Sequence, residues 1–390
     1  MAGGLTIDRE TLQRVVADLV YAELVSARGH APSRRLVDTT GDIRLGAEGL
    51  GCDSLELLRL AGALNEMFHL HETGCEDLLL ADTRLSQWVE RVASVWPTGS
   101  RRVTFRSSGT TGPAKSCPHT LDHLALELDV WCRMFAPQRI YAAVPAHHIY
   151  GFVFTVLLPE RLGVPVVDIR QEPALCRDAE PGDLIVTTPD VWRYLIETIT
   201  TLPAVTGISS SAPMPESLYG RAQKVGLASL VDVLGCSEIG GIAYRTGPDN
   251  PYRLLDVWDI VENPVPGPGD LTIQSSTTQP TVIPDRVFMH GARTFDAVGR
   301  RDGQVQSGGH NIDPEAIRAT VLARGDIADA RVDTHGKSGG RPDLVVVPVD
   351  AVVDAATWPE TIRAWLAERL PAHALPGTIY IAPAEAKVTR

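Results

Sequence analysis

Ser107-Ser108-Gly109-Thr110-Thr111-Gly112-Pro113-Ala114-Lys115 follows a β-branched run ending near Arg106 and precedes a helical pattern over 120–135. Glycines let backbone N–H groups approach an anion, hydroxyls add donors, and a lysine adds a compact positive charge. The spacing is not the GxxxxGK[ST] of the common phosphate loop. A Ser/Gly/Thr surface turn has the same composition, so what surrounds the loop must decide between the two readings.

Working outward, residues 101–300 alternate short β-branched runs with helical ones. Strands are expected at Val103–Arg106, Ile140–Val144, Val164–Ile169, Leu184–Thr188, Val205–Ser209 and Leu230–Leu234, and helices at 120–135, 189–201 and 215–225. Such alternation predicts a parallel α/β sheet. Beyond 250 the pattern turns to strand and turn. Residues 301–390 read as a small α+β lid, with helices at Pro314–Ala323 and Thr357–Leu370 and strands at Ala328–Val332, Leu344–Val349 and Thr378–Ile381. Upstream, residues 1–96 read as helical. Leu12, Val15, Val16, Leu19, Val20 and Leu24 recur at helical spacing, as do Leu55, Leu58, Leu60, Ala61, Leu64 and Phe68. Leu85–Val95 forms a third helix, and Pro97-Thr98-Gly99-Ser100 a linker.

A formal net charge of -12 argues against a general nucleic-acid binder. No apolar run approaches the roughly 18 residues that span a bilayer, and Met1-Ala2-Gly3-Gly4 begins no signal pattern; a cytoplasmic protein is expected. Cys52, Cys75, Cys117, Cys132, Cys176 and Cys236 contain no CxxC pair, which argues against a zinc site or disulfide framework. Lysine occurs only at Lys115, Lys224, Lys337 and Lys387. A lysine kept in an arginine-rich chain points to chemistry that a guanidinium cannot perform.

SSGTTGPAKS resembles the phosphate loop of the adenylate-forming superfamily: acyl- and aryl-CoA ligases, peptide-synthetase adenylation domains and luciferases. Gly235-Cys236-Ser237-Glu238 resembles its GxTE motif. Gly299-Arg300-Arg301-Asp302-Gly303-Gln304-Val305 resembles GRxDxxV, and Lys387-Val388-Thr389-Arg390 resembles the terminal GKxxR. The four fall in the family's order over 101–390. The resemblance implies a large α/β adenylate-forming core at 101–300, a mobile C-terminal α+β lid at 301–390 and a helical N-terminal block at 1–96. It also implies ATP, released as AMP and pyrophosphate, with Mg2+ as cofactor.

By the same resemblance, Ser107, Ser108, Gly109, Thr110, Thr111, Gly112 and Lys115 hold the β- and γ-phosphates. Ser237 lies near the α-phosphate, and Glu238 holds Mg2+, a hard cation suited to carboxylate and phosphate oxygens. Ser211-Ala212-Pro213 resembles the adenine loop. Asp285 takes the place of the ribose-binding aspartate, Arg300 reaches ribose or phosphate, and Asp302 is the hinge of the lid. Lys387 bridges the attacking carboxylate and the phosphate. His147-His148-Ile149-Tyr150-Gly151-Phe152 resembles the segment at the mouth of the acid pocket. His148 there is a candidate for catalysis, and His147, Tyr150, Phe152 and Gly235 for lining the pocket. A satisfied histidine pair at a strand end is the alternative. Leu234 in place of an adenine-stacking aromatic, Asn311 in place of arginine, and Ala386 before the last lysine mark a divergent branch.

Leu50-Gly51-Cys52-Asp53-Ser54-Leu55 resembles the LGxDSL of acyl carrier proteins, in which Ser54 would bear phosphopantetheine. A helix start capped by Asp53 and completed by Glu56 accounts for the same residues. Only 106 residues precede Ser107, so the family's usual N-terminal subdomain is replaced or cut down. The expected function is activation of a small, aromatic acid as an acyl-AMP, as in bacterial secondary metabolism, and its transfer to an acceptor. That acceptor would be a carrier-protein thiol, CoA or an amine. A diazotase that adenylates nitrite and passes it to an aryl amine uses the same phosphate machinery. A non-catalytic nucleotide-binding or carrier-interaction module is the third reading, opposed by Lys115, Glu238 and Lys387.

Overall fold

The computed structural model describes residues 7–31, 43–75, 79–96, 99–107, 115–262, 268–303, 305–307, 310–333, 341–350 and 356–383. Helix α1 (Arg9–Arg28) starts where the Asp8 side chain accepts from the Thr11 N–H at 2.6 Å and stops at left-handed Gly29. Helix α2 (Ser54–Phe68) opens with a reciprocal box between Asp53 and Glu56. Helix α3 (Leu85–Val95) buries Trp88, whose indole N–H donates to the Leu79 and Asp82 carbonyls. The three apolar faces do not form a core of their own. Val16, Leu64, Trp88, Phe105, Trp131 and Phe295 belong to one continuous cluster, so the helical block and the sheet are packed as a unit.

Strands β1 (Arg102–Arg106) and β2 (Ser116–Thr120) form a two-stranded antiparallel ribbon on either side of the glycine-rich loop. The sequence pattern places no strand at 116–120, because Pro118 lacks an N–H for a ladder. In a ribbon with a free outer edge that donor is not needed. The loop's neck is closed by Ser107 N–H donating to the Lys115 carbonyl at 2.9 Å, and by Lys115 N–H donating to Ser107 Oγ at 3.1 Å. Helix α4 (Leu121–Met134) follows, capped by Thr120.

The main sheet begins with β3 (Ile140–Ala142). Helix α5 (Ile149–Phe152), a π-helical turn (Val153–Leu157) and α6 (Leu158–Leu162) lead to β4 (Val166–Asp168). Next come β5 (Leu184–Thr187), α7 (Pro189–Thr198), β6 (Thr206–Ser209), α8 (Glu216–Lys224) and β7 (Ser229–Cys236). Strands β4-β3-β5-β6-β7 are parallel neighbours, as the alternation predicts. From β8 (Gly240–Arg245) and β9 (Tyr252–Leu254) the sheet turns antiparallel. It closes with β10 (Asp259–Glu262), β11 (Gly269–Gln274), β12 (Thr281–Met289) and β13 (Thr294–Arg300), next to β9.

The remaining elements are β14 (Val305–Ser307), β15 (His310–Ile312), α9 (Pro314–Leu322), β16 (Ile327–Asp333), β17 (Asp343–Pro348), α10 (Trp358–Ala367) and β18 (Ile379–Ile381). They enclose a separate core around Ile317, Val321, Leu344, Val346, Ile362 and Leu366. A second core is what a unit able to move against the first requires. No helix among the described residues is long and apolar enough to cross a membrane.

Candidate active site

Parallel strands present their carboxyl ends on one edge, where α/β proteins bind ligands. Here β3, β5, β6 and β7 run out into Val144-Pro145, Thr188, Ser210-Ser211 and Ser237-Glu238. These residues line one cavity of about 310 Å3. Ser107 and Arg106 reach it from the ribbon, His148, Ile149, Tyr150, Val153 and Phe154 from α5 and the π turn, Glu127 from α4 and Arg300 from the end of β13. A second cavity of about 250 Å3 shares Cys236, Glu238 and Arg300 with it and adds Pro284, Arg301 and Asp302.

The fold thus brings Ser107, Ser211, Gly235, Ser237, Glu238, His148, Tyr150 and Arg300 around one space. Asp285 sits opposite Arg300 in the β12–β13 register, and burial raises its pKa against the pull of that guanidinium. Arg300 donates to both Asp302 oxygens, at 2.9 and 2.7 Å, just before the chain enters β14. Ser211 holds a left-handed φ of 74°, a conformation that costs energy in a non-glycine residue and recurs at ligand sites. Ala212 and Pro213 follow it outside the lining.

His147 and Phe152 are not among the cavity's lining residues. Phe152 packs edge-on against Phe105 and Trp96 inside the core. The His147 ring lies 4.3 Å from that of His148, tilted by 36°, and desolvation drives its pKa well down. Tyr150 donates its hydroxyl to the Thr187 carbonyl at 3.0 Å, which fixes the ring along the wall. Gly151 is required where it is: an added Cβ would lie 2.0 Å from the Pro145 carbonyl oxygen. Ser108, Gly109, Thr110, Thr111, Gly112 and Lys387 lie outside the described residues. Lys115 is exposed at the loop's neck. Ser54 is an exposed first residue of α2, and the cap formed by Asp53 and Glu56 explains its surroundings.

Known proteins place this arrangement. A family described as AMP-binding enzyme matches residues 88–267. A 4-coumarate–CoA ligase of Halorhodospira halophila is 36% identical over 376 residues, covering 94% of each chain. The chain belongs to the adenylate-forming, AMP-binding enzyme family. A second 4-coumarate–CoA ligase, from Rhodobacter capsulatus, is 35% identical over 80% of this chain and 82% of its own. Among solved structures, the amide bond synthetase McbA from Marinactinospora thermotolerans matches 97% of this chain and 91% of its own, with a TM-score of 0.60 at 16% identity. A malonyl-CoA ligase complex with methylmalonyl-CoA and AMP matches 73% of this chain and 71% of its own, with a TM-score of 0.55 at 18% identity. These two share the fold. The chain is therefore an ATP-dependent, AMP-forming ligase of the acyl- and aryl-CoA ligase type.

Several residues of the ligase's site were not picked out by motif. Arg106 is held by Glu23 of α1 at 2.8 Å and by Glu66 of α2. Asp18 of α1 accepts from the Ala146 N–H and from Arg170, both at 2.7 Å, just ahead of the histidine pair. Arg14 of the same helix donates to the Thr155 carbonyl, which the π turn leaves available. The N-terminal helices therefore brace the cavity wall directly. Glu127 could have been found from the sequence: Leu124, Glu127, Leu128 and Trp131 form one helical stripe, with a carboxylate on its apolar face.

His119 on β2 ties the ribbon to the ligase's GxTE-like segment. Its Nε2 lies 2.7 Å from the Ser237 carbonyl, which can only accept, so Nε2 carries the proton. Burial pushes its pKa down to about 4. The unfolded chain then takes up a proton below about pH 6.5 that the folded one refuses, so stability is full above that pH and is lost as pH falls toward 4. Relative to His119→Gln, the wild type should lose about 2 kcal/mol between pH 7 and pH 5. Denaturant melts of both proteins at the two pH values check this. A pH-independent difference would exclude the neutral, buried imidazole.

Proposed function

We propose that the ligase activates an aryl carboxylic acid of the 4-coumarate kind and passes it to coenzyme A. A carboxylate oxygen attacks the α-phosphorus of ATP, the bond to pyrophosphate breaks, and an acyl-AMP forms. The coenzyme A thiol, losing its proton, then attacks the acyl carbon, and AMP leaves. What carries the reading is the cavity's division into a polar end at Ser107, Ser237, Glu238 and Arg300, and walls of Val144, Ile149, Tyr150, Val153 and Phe154. Its volume of about 310 Å3 suits one ring and a short arm better than a long acyl chain. The similarity to two 4-coumarate–CoA ligases, over 94% and 80% of this chain, supports the same substrate class and acceptor.

In this reading the loop from Ser107 to Lys115 cradles the distal phosphates, with Ser237 beside the reacting phosphate. Arg300 and Asp285 face the ribose and phosphate, and Ser211-Ala212-Pro213 flank adenine. His148 and Tyr150 border the acid, and Asp302 is the pivot of the lid. The donor set suits Mg2+, because Glu238 offers a solvent-reachable carboxylate beside the Ser237 hydroxyl. The ion would neutralise triphosphate charge.

The test is product analysis with ATP, Mg2+ and CoA against 4-coumarate, cinnamate and benzoate. Parallel arms offer a carrier thiol or an amine as acceptor, and nitrite with an aryl amine. The expected result is AMP, pyrophosphate and an aryl-CoA thioester in equal amounts. AMP formed only with nitrite and the amine would replace this reading with a diazotase. An absence of AMP with every aryl acid would remove it.

A further inference from the structure

Glu127 is a buried carboxyl group lining the cavity, and none of the steps above uses it. The side chain is 3% exposed, and with Glu238 it is one of two carboxylates lining the cavity among the described residues. Glu238 is exposed and shared with the second cavity. Glu127 is fully enclosed and absent from that cavity. Both carboxylates line the one space, Glu238 where it is open to solvent and Glu127 where it is closed off.

The wall there is shaped around the carboxyl. Oε1 accepts from the Trp131 indole N–H at 2.9 Å, and Oε2 from the Gly241 N–H at 3.0 Å. A Cβ added at Gly240 would sit 2.8 Å from Oε2, and one at Gly241 2.5 Å from Oε1. The glycine pair at the start of β8 thus leaves room for a carboxyl that any other residue there would displace. Burial on an apolar helix face is costly for such a group. Two hydrogen bonds use only part of its capacity, and the residue lines the cavity. Burial also raises its pKa, which favours the neutral acid, able to donate as well as accept.

We infer that Glu127 reads the end of the substrate remote from the reacting carboxylate by hydrogen-bonding a para-hydroxyl on its ring, and so sets specificity for hydroxylated aryl acids. The assignment rests on the aryl-acid reading proposed above. A site built to pair a substrate hydroxyl discriminates strongly against analogues lacking it, because its own polar group is then left unpaired.

The experiment compares kcat/KM of the full chain for 4-hydroxycinnamate, 4-methoxycinnamate and cinnamate. The methoxy compound fills the same place but cannot donate. The wild type should prefer the hydroxylated acid over both others by about tenfold or more. Glu127→Met should bring the three values together, and Glu127→Gln, which keeps a polar amide there, should restore part of the preference. Equal values for the three acids in the wild type overturn the assignment, whether or not Glu127→Met folds. So does a loss in Glu127→Met that is the same for all three acids, as a purely structural role predicts. No turnover of any aryl acid by the wild type removes the aryl-acid reading, and this assignment with it.

Discussion

Lys387→Ala is expected to slow acyl-AMP formation by about 10²–10³-fold while leaving ATP binding nearly unchanged. The reason is charge. Two cations, Arg106 and Arg300, are found among the described residues lining the cavity. Both are already committed: Arg106 to Glu23 and Glu66, Arg300 to Asp302. A polyanionic triphosphate and a carboxylate must nevertheless meet there, and negative charge builds on the oxygens between them. In a chain with four lysines, the two that fall in family motifs are Lys115 and Lys387. In the reading proposed above, Lys115 belongs to the loop for the distal phosphates, and the resemblance of the terminal motif assigns the bridge between acid and phosphate to Lys387. Pyrophosphate exchange measures the adenylation step, and ATP titration measures binding. Thioester formation from supplied acyl-AMP shows that the variant is folded. An unchanged exchange rate would remove Lys387 from the reaction.

Asp18→Ala should destabilise the protein by about 3–5 kcal/mol and raise KM for the acid. Asp18 is 3% exposed and joins three elements. It accepts from Arg170, which also pairs with Asp168, and from the Ala146 N–H that leads into the histidine segment. Alanine leaves a half-buried guanidinium with one partner fewer and a buried N–H with none, and each such loss is expensive. Asp18→Asn keeps one acceptor and should cost less. The measurements are the denaturant midpoint at constant slope and the steady-state KM. A midpoint shift worth under 1 kcal/mol would show that this network does not hold the wall.

How far the sequence could be read follows from which interactions are local. The helices at Leu12–Leu24, after Asp53 and at Leu85–Val95 were legible from periodicity, and so were the parallel strands between 140 and 236. In each, neighbours in sequence decide the buried face. The ribbon strand at Ser116–Thr120 was not, because Pro118 signals a break until Thr104 is seen beside it. The four motifs announced an adenylate-forming ligase, since phosphate contacts need particular residues at short spacing. The lining of the cavity was less legible. His147 and Phe152 share a motif with His148 and Tyr150 yet stand outside the cavity lining: Phe152 is two positions, about half a helical turn, beyond Tyr150, and His147 precedes the helix and is buried beside His148.

The sequence alone determined the order of elements, the loop at Ser107–Lys115, the motifs at Ser237-Glu238 and Arg300, and membership in a family that spends ATP to activate acids. Those features depend on backbone propensity and on contacts within a few residues. Only the tertiary structure decided that Glu127 meets Gly241 in the cavity lining, and that Arg14 and Asp18 of α1 hold Thr155 and Ala146 beside it. It likewise decided that the N-terminal helices share a core with the sheet. These contacts join residues more than a hundred positions apart, and a chain's local pattern records which side chains will be buried but not which distant partner will meet them.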